Sequence, residues 1–122
     1  MPQRERDRIV VVSRDPRLAD VRKRVLENAG FAVIAASDAS IIEQACGHER
    51  VRLIMLGHSL SPADKRHVWA AAKAHCRVPI LELHRGSEPE LLEQNVVGHE
   101  SHVDDDFLKS VRKILAKPRA GA

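Results

Sequence analysis

Four apolar runs divide the first two thirds of the chain. They are IVVVS, FAVIAAS, VRLIML and VPILELH, and each is bounded by charged residues, proline or glycine. Strands of a parallel sheet are buried on both faces, so they consist of nearly continuous apolar residues rather than of an alternation. The runs therefore predict four buried β-strands, the first of which starts at residue 9.

Helical periodicity follows the first three runs and returns at the end of the chain. The helices are predicted in DPRLADVRKRVLENAG, ASIIEQACGHE, SPADKRHVWAAAKAHC and DDDFLKSVRKILAK. Asp15 and Pro16 suit the start of the first helix, and Gly30 suits its end. Either Asp38 or Ser37 is expected to cap the second helix. The positions expected to face the sheet are Leu18, Val21, Val25, Leu26 and Ala29, then Ile41, Ile42 and Ala45, then Val68, Ala71, Ala72 and His75, and finally Phe107, Leu108, Val111, Ile114 and Leu115.

The segment between the fourth strand and the last helix has the weakest pattern. RGSEPELLEQN predicts a short helix, and a fifth strand must come from VVGHESHV, around either Val96 and Val97 or His102 and Val103. Strands and helices that alternate at intervals of roughly 20 to 25 residues predict parallel strands, right-handed crossovers and helices on both faces of the sheet. The fold class is therefore α/β. One doubly wound domain is expected over residues 9–116, between a charged arm at 1–8 and a flexible tail at 117–122.

Length and composition agree with one small globular domain. The chain has 122 residues, 43% of them hydrophobic and 30% charged, and no apolar run approaches the ~18 residues of a membrane span. The formal net charge is +3. The basic residues, among them Arg22, Lys23 and Arg24 of the first helix, are interspersed with acids, so a solvated surface is favoured over a nucleic-acid interface. Cys46 and Cys76 lack C-x-x-C spacing and are expected to be small buried thiols in a reducing cytoplasm.

In the order and length of its elements the chain resembles the receiver domain of bacterial two-component response regulators. The resemblance extends from Arg8 to about Leu115 and rests on RIVVVSRDPRLADVRKRVLENAGFAVIAAS, on VRLIML with the later SP, on VPILEL and on the closing DDFLKSVRKIL. It implies a flavodoxin-like sheet of five parallel strands in the order 2-1-3-4-5, with a ligand crevice at the carboxyl ends of the strands. It also implies a role in signal transduction by phosphorelay.

A working receiver, as the family is known, holds five groups in that crevice. Two acids after the first strand bind Mg²⁺, an aspartate ending the third strand accepts the phosphoryl group, and a hydroxyl and a lysine end the fourth and fifth strands. The corresponding positions here are Ser13 and Arg14, then Gly57 or His58, then His84, and then Glu100 or a neighbour. All five groups differ from the family's pattern. The resemblance therefore predicts a degenerate receiver, or pseudo-receiver, with no phosphoacceptor, metal or cofactor.

Other roles for these side chains are weaker hypotheses. His58 and His84, with Glu82 on the same side of the sheet as His84, form a candidate zinc site of unspecific spacing. His58 is also a candidate phosphohistidine, although no general acid accompanies it. Arg14 is expected either to bind a small anion or to pair with Asp15 or with an acid of the fifth strand, and the pairing is favoured.

The leading functional hypothesis is a stand-alone signalling protein that binds another protein without being phosphorylated. The partner is expected to be a kinase or a regulator, with a homodimer as a further expectation and with no nucleic-acid or membrane partner. The surface that the family commonly uses for such contacts corresponds here to Glu93, His102, Lys109, Arg112 and Lys113. Trp69 is expected to be a partly buried anchor.

The alternative hypothesis is a small-anion or nucleotide sensor. Its crevice would be lined by Ser13, Arg14, His58, His84 and Arg85. An enzymatic activity is not predicted, because the sequence contains no G-x-G-x-x-G, P-loop or G-x-S-x-G motif and nothing that pairs a nucleophile with a base.

Overall fold

Five strands and four helices alternate along the part of the chain that the computed structural model describes, which comprises residues 7–48, 51–84, 91, 96–100 and 107–116. They are β1 (Arg8–Val12), α1 (Pro16–Asn28), β2 (Ala32–Ala36), α2 (Ser40–His48), β3 (Val51–Leu56), α3 (Pro62–His75), β4 (Ile80–His84), β5 (Val96–Glu100) and α4 (Phe107–Ala116). The helix predicted in RGSEPELLEQN lies, apart from Leu91, outside the described residues, as do residues 1–6 of the arm and the predicted tail.

The strands form one parallel sheet in the order β2-β1-β3-β4-β5, as predicted. The fifth strand is the one around Val96 and Val97, and it pairs with β4 from Ile80 to His84. After β1 the chain forms β2 on one side of it and then crosses back to form β3 on its other side. This reversal puts the carboxyl ends of β1 and β3 next to each other at the place where such folds form a crevice.

Each face of the sheet carries its own apolar cluster. Alternation along the strands sends successive side chains to opposite faces, so both faces need cover. One cluster joins the sheet to α2 and α3 and includes Val10, Val12, Ile54, Leu56, Ile42, Ala45, Val68 and Ala72. The other joins it to α1 and α4 and includes Ile9, Val11, Leu53, Met55, Leu81, Leu26, Phe107, Val111 and Ile114. Helices therefore lie on both faces, and no described helix is long and apolar enough to cross a membrane.

The first helix turns a different residue toward the sheet than expected. Its buried residues are Ala19, Arg22 and Leu26, whereas Val21, which was predicted to face the core, is 58% exposed. Adjacent residues of an α-helix are about 100° apart around its axis, so burying position 22 turns position 21 toward solvent. The expectation that Arg22 belongs to the solvated surface is wrong.

The third helix also departs from its predicted face. Val68 and Ala72 are buried as expected, and Lys65 is buried with them. His75, the last residue of the helix, is exposed, although it was predicted to face the sheet. Trp69 is partly buried against the core, as predicted, and the Lys73 ammonium lies 5.0 Å from the centre of its ring.

The two cysteines are joined in a disulfide, which corrects the prediction of separate thiols. Cys46 belongs to α2 and Cys76 is the C-cap of α3, and their Cα atoms are 5.3 Å apart. That separation lies within the range a disulfide requires. A spacing of 30 residues along the chain does not reveal it, because it depends on how α2 and α3 pack.

Candidate functional site

The carboxyl ends of β1 and β3 define the candidate site. Val12 is the register partner of Leu56, and the Gly57 N–H continues the ladder by donating to the Val12 carbonyl at 2.8 Å. Of the two candidate positions after β3, Gly57 is therefore the one directly beside the end of β1. His58 is one residue further on, in the loop that leads to α3.

The guanidinium of Arg22 fills the space above Gly57. A β-carbon built on Gly57 would lie 3.0 Å from Arg22 Nη1, 3.2 Å from Ser13 Oγ and 3.2 Å from the Val12 carbonyl oxygen. Arg22 is only 5% exposed. A side chain ending β3 at this position would thus point into a volume that an arginine from α1 already occupies.

A hydrogen bond connects Arg22 to His58. Nη2 of Arg22 lies 3.0 Å from His58 Nδ1. Because arginine offers only donors, Nδ1 must accept, and the imidazole is neutral with its proton on Nε2. His58 is therefore engaged with a cation and is a poor candidate for a metal ligand or a phosphoryl acceptor through Nδ1.

Ser13 connects the loops after β1 and β3. It is 3% exposed, and its hydroxyl lies 3.1 Å from that of Ser59 and 3.2 Å from both the N–H and the carbonyl oxygen of Asp15. The Asp15 carboxylate caps α1 by accepting the Arg17 N–H at 2.9 Å. The loop after β1 thus supplies hydroxyl and backbone groups, and its acid is used by the helix.

Arg14 does not enter this buried site. Its Nε donates to Asp64 Oδ2 at 3.1 Å, and its side chain is 54% exposed. The bond from Arg14 lowers the pKa of Asp64 and raises that of Arg14 itself. The partner is an acid of α3, so the prediction of Asp15 or of an acid in the fifth strand is wrong; the pairing itself was the favoured alternative.

A shallow groove lies beside this ion pair, between the first turns of α2 and α3. It is lined by Arg14, Asp38, Ala39, Ser40, Asp64 and His67. Hydrogen bonds from the Ser40 side chain and backbone lower the pKa of Asp38, so this carboxylate is charged too. Two carboxylates thus oppose one guanidinium, which makes the groove unfavourable for an anion.

The fourth strand carries a buried ion pair that the sequence did not reveal. Lys65 Nζ donates to Glu82 Oε2 at 2.8 Å and to the Leu83 carbonyl at 3.2 Å, and the two side chains are fully buried. The other oxygen of Glu82 accepts the Leu91 N–H at 3.0 Å. Both carboxylate oxygens are therefore used, and Glu82 is not available for the hypothetical zinc site.

The remaining predicted residues are placed in part. His84 is 4% exposed and is the register partner of Glu100. Lys109, Arg112 and Lys113 are exposed on α4. Arg85, Glu93 and His102 lie outside the described residues, as does the side chain of Glu100. Within the described part of the chain, no group of three or more His, Cys, Asp and Glu side chains could hold a metal ion.

Arg22 is the site residue that the sequence analysis missed. A signal for it existed, since Leu18, Arg22, Val25 and Ala29 follow one another at the three- and four-residue steps of a single helix face. A cation at the centre of an apolar stripe indicates either a buried partner or an unusual exposure of the stripe.

The fold is that of CheY-like receiver domains, as comparison with solved structures shows. A receiver domain protein (CheY-like) from Methanospirillum hungatei gives a TM-score of 0.73 at 18% identity, over 91% of this chain and 94% of that one. The chemotaxis protein CheY4 of Vibrio cholerae gives 0.72 at 18% identity, over 89% and 98%. The N-terminal domain of a response regulator/sensory box/GGDEF 3-domain protein from Carboxydothermus hydrogenoformans gives 0.72 at 19% identity, over 89% and 94%. No family model and no curated protein matches the sequence.

Proposed function

We propose that the chain is a receiver-like signalling protein that does not use an aspartyl phosphate and acts by binding another protein. The observation that carries the proposal is the position of Arg22 above Gly57. Acyl phosphate formation needs a carboxylate nucleophile, and Mg²⁺ needs oxygen ligands to neutralise the incoming phosphoryl group. Gly57 has no side chain, and a guanidinium at this place repels a divalent cation.

The Arg22 guanidinium also offers a reason why the proposed signalling state does not need phosphorylation. In a phosphorylated receiver, several charged groups meet in the crevice, and their balance changes with the phosphoryl group. Here Arg22 and His58 make a hydrogen bond between α1 and the loop after β3, without any phosphoryl group. The crevice is therefore held in one state by the chain's own side chains, and the partner surface is presented constantly.

Phosphorylation is tested directly by incubation with acetyl phosphate and Mg²⁺, followed by intact mass measurement. We expect no added phosphoryl mass, and no spectral change with beryllofluoride. A receiver that retains its aspartate serves as the positive control, and the double variant Gly57→Asp/Arg22→Ala shows whether a carboxylate without the guanidinium accepts a phosphoryl group while Ser13 and Arg14 still replace the two acids that bind Mg²⁺ in the family. Stoichiometric labelling of the wild-type chain would sink the proposal.

The partner surface is proposed to include the exposed cations of α4, Lys109, Arg112 and Lys113. The test is affinity purification of the tagged chain from cells that express it, followed by identification of any co-purifying kinase or DNA-binding regulator and by binding measurements with that purified partner. Charge reversal at Lys109 and Lys113 is expected to weaken the complex, whereas reversal at Arg24, exposed on α1, is expected to leave it unchanged. Equal binding by both variants would exclude this surface.

The anion-sensor alternative has less support. Arg14 is engaged with Asp64, and the groove beside it carries a second carboxylate. Thermal-shift screening against phosphates and nucleotides discriminates between the functions, because a ligand at 100 times its Kd stabilises the folded state by about 2.7 kcal/mol. We expect no such stabilisation.

A further inference from the structure

The Cys46–Cys76 disulfide connects two neighbouring helices at the same end. Cys46 lies in the last turns of α2, and Cys76 caps the carboxyl end of α3. Both side chains are partly buried against the apolar cluster on this face of the sheet. They are partly exposed as well, so a small thiol in solution can approach the sulfur atoms.

The second helix is short and buries few of its described side chains. It is 9 residues long, and helices shorter than about 12 residues are marginal on their own in water. Among its described side chains only Ile42 and Ala45 are fully buried. The disulfide therefore adds a covalent attachment to a helix whose other contacts with the core are made by a few apolar side chains.

The groove described above lies at the opposite end of the same pair of helices. Asp38 and Ser40 line it from the start of α2, and Asp64 and His67 line it from the start of α3. The shape of the groove depends on how firmly α2 is held against α3. The covalent link is thus at one end of the helix pair, and the groove is at the other.

We propose that the Cys46–Cys76 disulfide is a reversible redox lock that fixes α2 against α3, and that its reduction loosens α2 and the groove. A thiolate of a cellular thiol such as glutathione attacks one sulfur and forms a mixed disulfide, and a second thiol molecule releases the cysteine. Two electrons pass to the protein, two cysteine thiols form with two protons, and one oxidised thiol pair is produced. The reverse sequence, with oxidised glutathione, closes the lock.

This lock does not depend on the function proposed above. Disulfides that occur in reducing compartments are commonly transient and redox-sensing, whereas structural ones resist the glutathione pool. Sensitivity to glutathione therefore separates a lock from a permanent cross-link.

The experiment is hydrogen–deuterium exchange of the wild-type chain, oxidised and then reduced by excess glutathione, with thiol content measured in parallel. We expect full reduction, full reoxidation by oxidised glutathione, and exchange of the α2 amides at least ~10-fold faster in the reduced form. The amides of β1 and β3 serve as internal controls, because both strands are buried in the centre of the sheet. The lone Trp69, which packs in the same cluster, gives an independent fluorescence readout.

The variant Cys46→Ala/Cys76→Ala is the matched control. Its α2 amides are expected to exchange as fast as those of the reduced wild type and to ignore the glutathione ratio. A disulfide that excess glutathione leaves intact, cysteines that never pair under oxidised glutathione, or equal α2 exchange in both redox forms would each overturn the lock.

Discussion

At the scale of single residues, the candidate site is organised around a contact between a glycine and an arginine. Arg22 reaches from α1 to within 3.0 Å of where a β-carbon of residue 57 would be. The glycine is needed for space and not for backbone freedom, since of the described glycines only Gly30 has a positive φ, of 101°. The side chain of residue 57 and the guanidinium of Arg22 thus exclude each other.

Substituting Gly57 by alanine tests this contact. The methyl group would press on Arg22, Ser13 and the Val12 carbonyl, and the last of these belongs to the central strand and cannot move away easily. We expect a loss of about 1–3 kcal/mol in the free energy of unfolding, measured by urea denaturation. In an Arg22→Ala background the loss should shrink, and in an Arg24→Ala background it should not. An equal loss in both backgrounds would contradict the contact with Arg22.

The ion pair between Arg14 and Asp64 predicts a pH dependence. The folded pKa of Asp64 lies below the ordinary value of 3.8, so the pair stabilises the folded state above that pH, and the contribution disappears as pH falls through the folded value. Arg14→Ala should therefore be less stable than wild type at neutral pH, and the difference should vanish in acid. Urea titrations over a pH series measure it, with exposed Arg17→Ala as the control. The pair is exposed, so the effect is small; a difference that grows in acid would contradict the assignment.

At the scale of elements, α3 carries two ion pairs of opposite character. One is the exposed pair just described, and the other joins Lys65 to Glu82 in full burial. The buried pair connects α3 to β4 and, through the Leu91 N–H, to the segment beyond β4. A buried charge that loses its partner is far costlier than an exposed one.

Lys65→Met should destabilise the domain by about 3–5 kcal/mol, because it leaves the Glu82 carboxylate buried without its cation. The double variant Lys65→Met/Glu82→Gln should recover most of the loss, since the amide oxygen can still accept the Leu91 N–H while the buried charge is gone. Urea denaturation of the two variants is the measurement. If the double variant were no more stable than the single one, the cost would come from packing and not from the charge.

The sequence predicted the strands that are buried on both faces well. It did not predict which charged side chains are buried or which residues they pair with. The central strands are buried on both faces, so β1 appears as an unbroken apolar run, and β3 and β4 appear as nearly continuous ones that contain Arg52 and Glu82. β5 offered only Val96 and Val97 before Gly98 and was ambiguous. Burial of Lys65 depends on an acid 17 residues away, and the partner of Arg14 is 50 residues away. Such pairings follow from tertiary packing, which local periodicity does not contain.

At the scale of the whole molecule, the disulfide closes a loop that contains β3 and the whole of α3. The pairing spans 30 residues, and cross-linking a loop of that length removes enough entropy from the unfolded chain to stabilise the fold by about 3–4 kcal/mol. The urea midpoint should therefore fall when a reductant is added to the wild type. Cys46→Ala/Cys76→Ala should not respond to the reductant. Identical wild-type midpoints with and without reductant would mean that the cross-link is not formed in solution.

The overall topology followed from the sequence, and the candidate site did so only in outline. Alternating strands and helices of this length predict a parallel sheet with right-handed crossovers, and the resemblance to receiver domains implied the strand order 2-1-3-4-5 that is observed. The positions at the strand ends followed from the same register. The group that occupies the site came from α1, where the spacing of Arg22 among apolar residues signals a buried cation, and only the folded arrangement shows that it contacts Gly57 and His58.

The contact between Arg22 and Gly57 also constrains how this chain can change over evolutionary time. The two positions are epistatic, since the effect of a substitution at one depends on the residue at the other. An aspartate introduced at position 57 would meet the Arg22 guanidinium and form an internal salt bridge with it. Arg22 must be lost first, and that loss alone would undo the bond to His58. A carboxylate at position 57 that is free of the guanidinium therefore requires substitutions at both positions, and the first of them removes a contact of the candidate site.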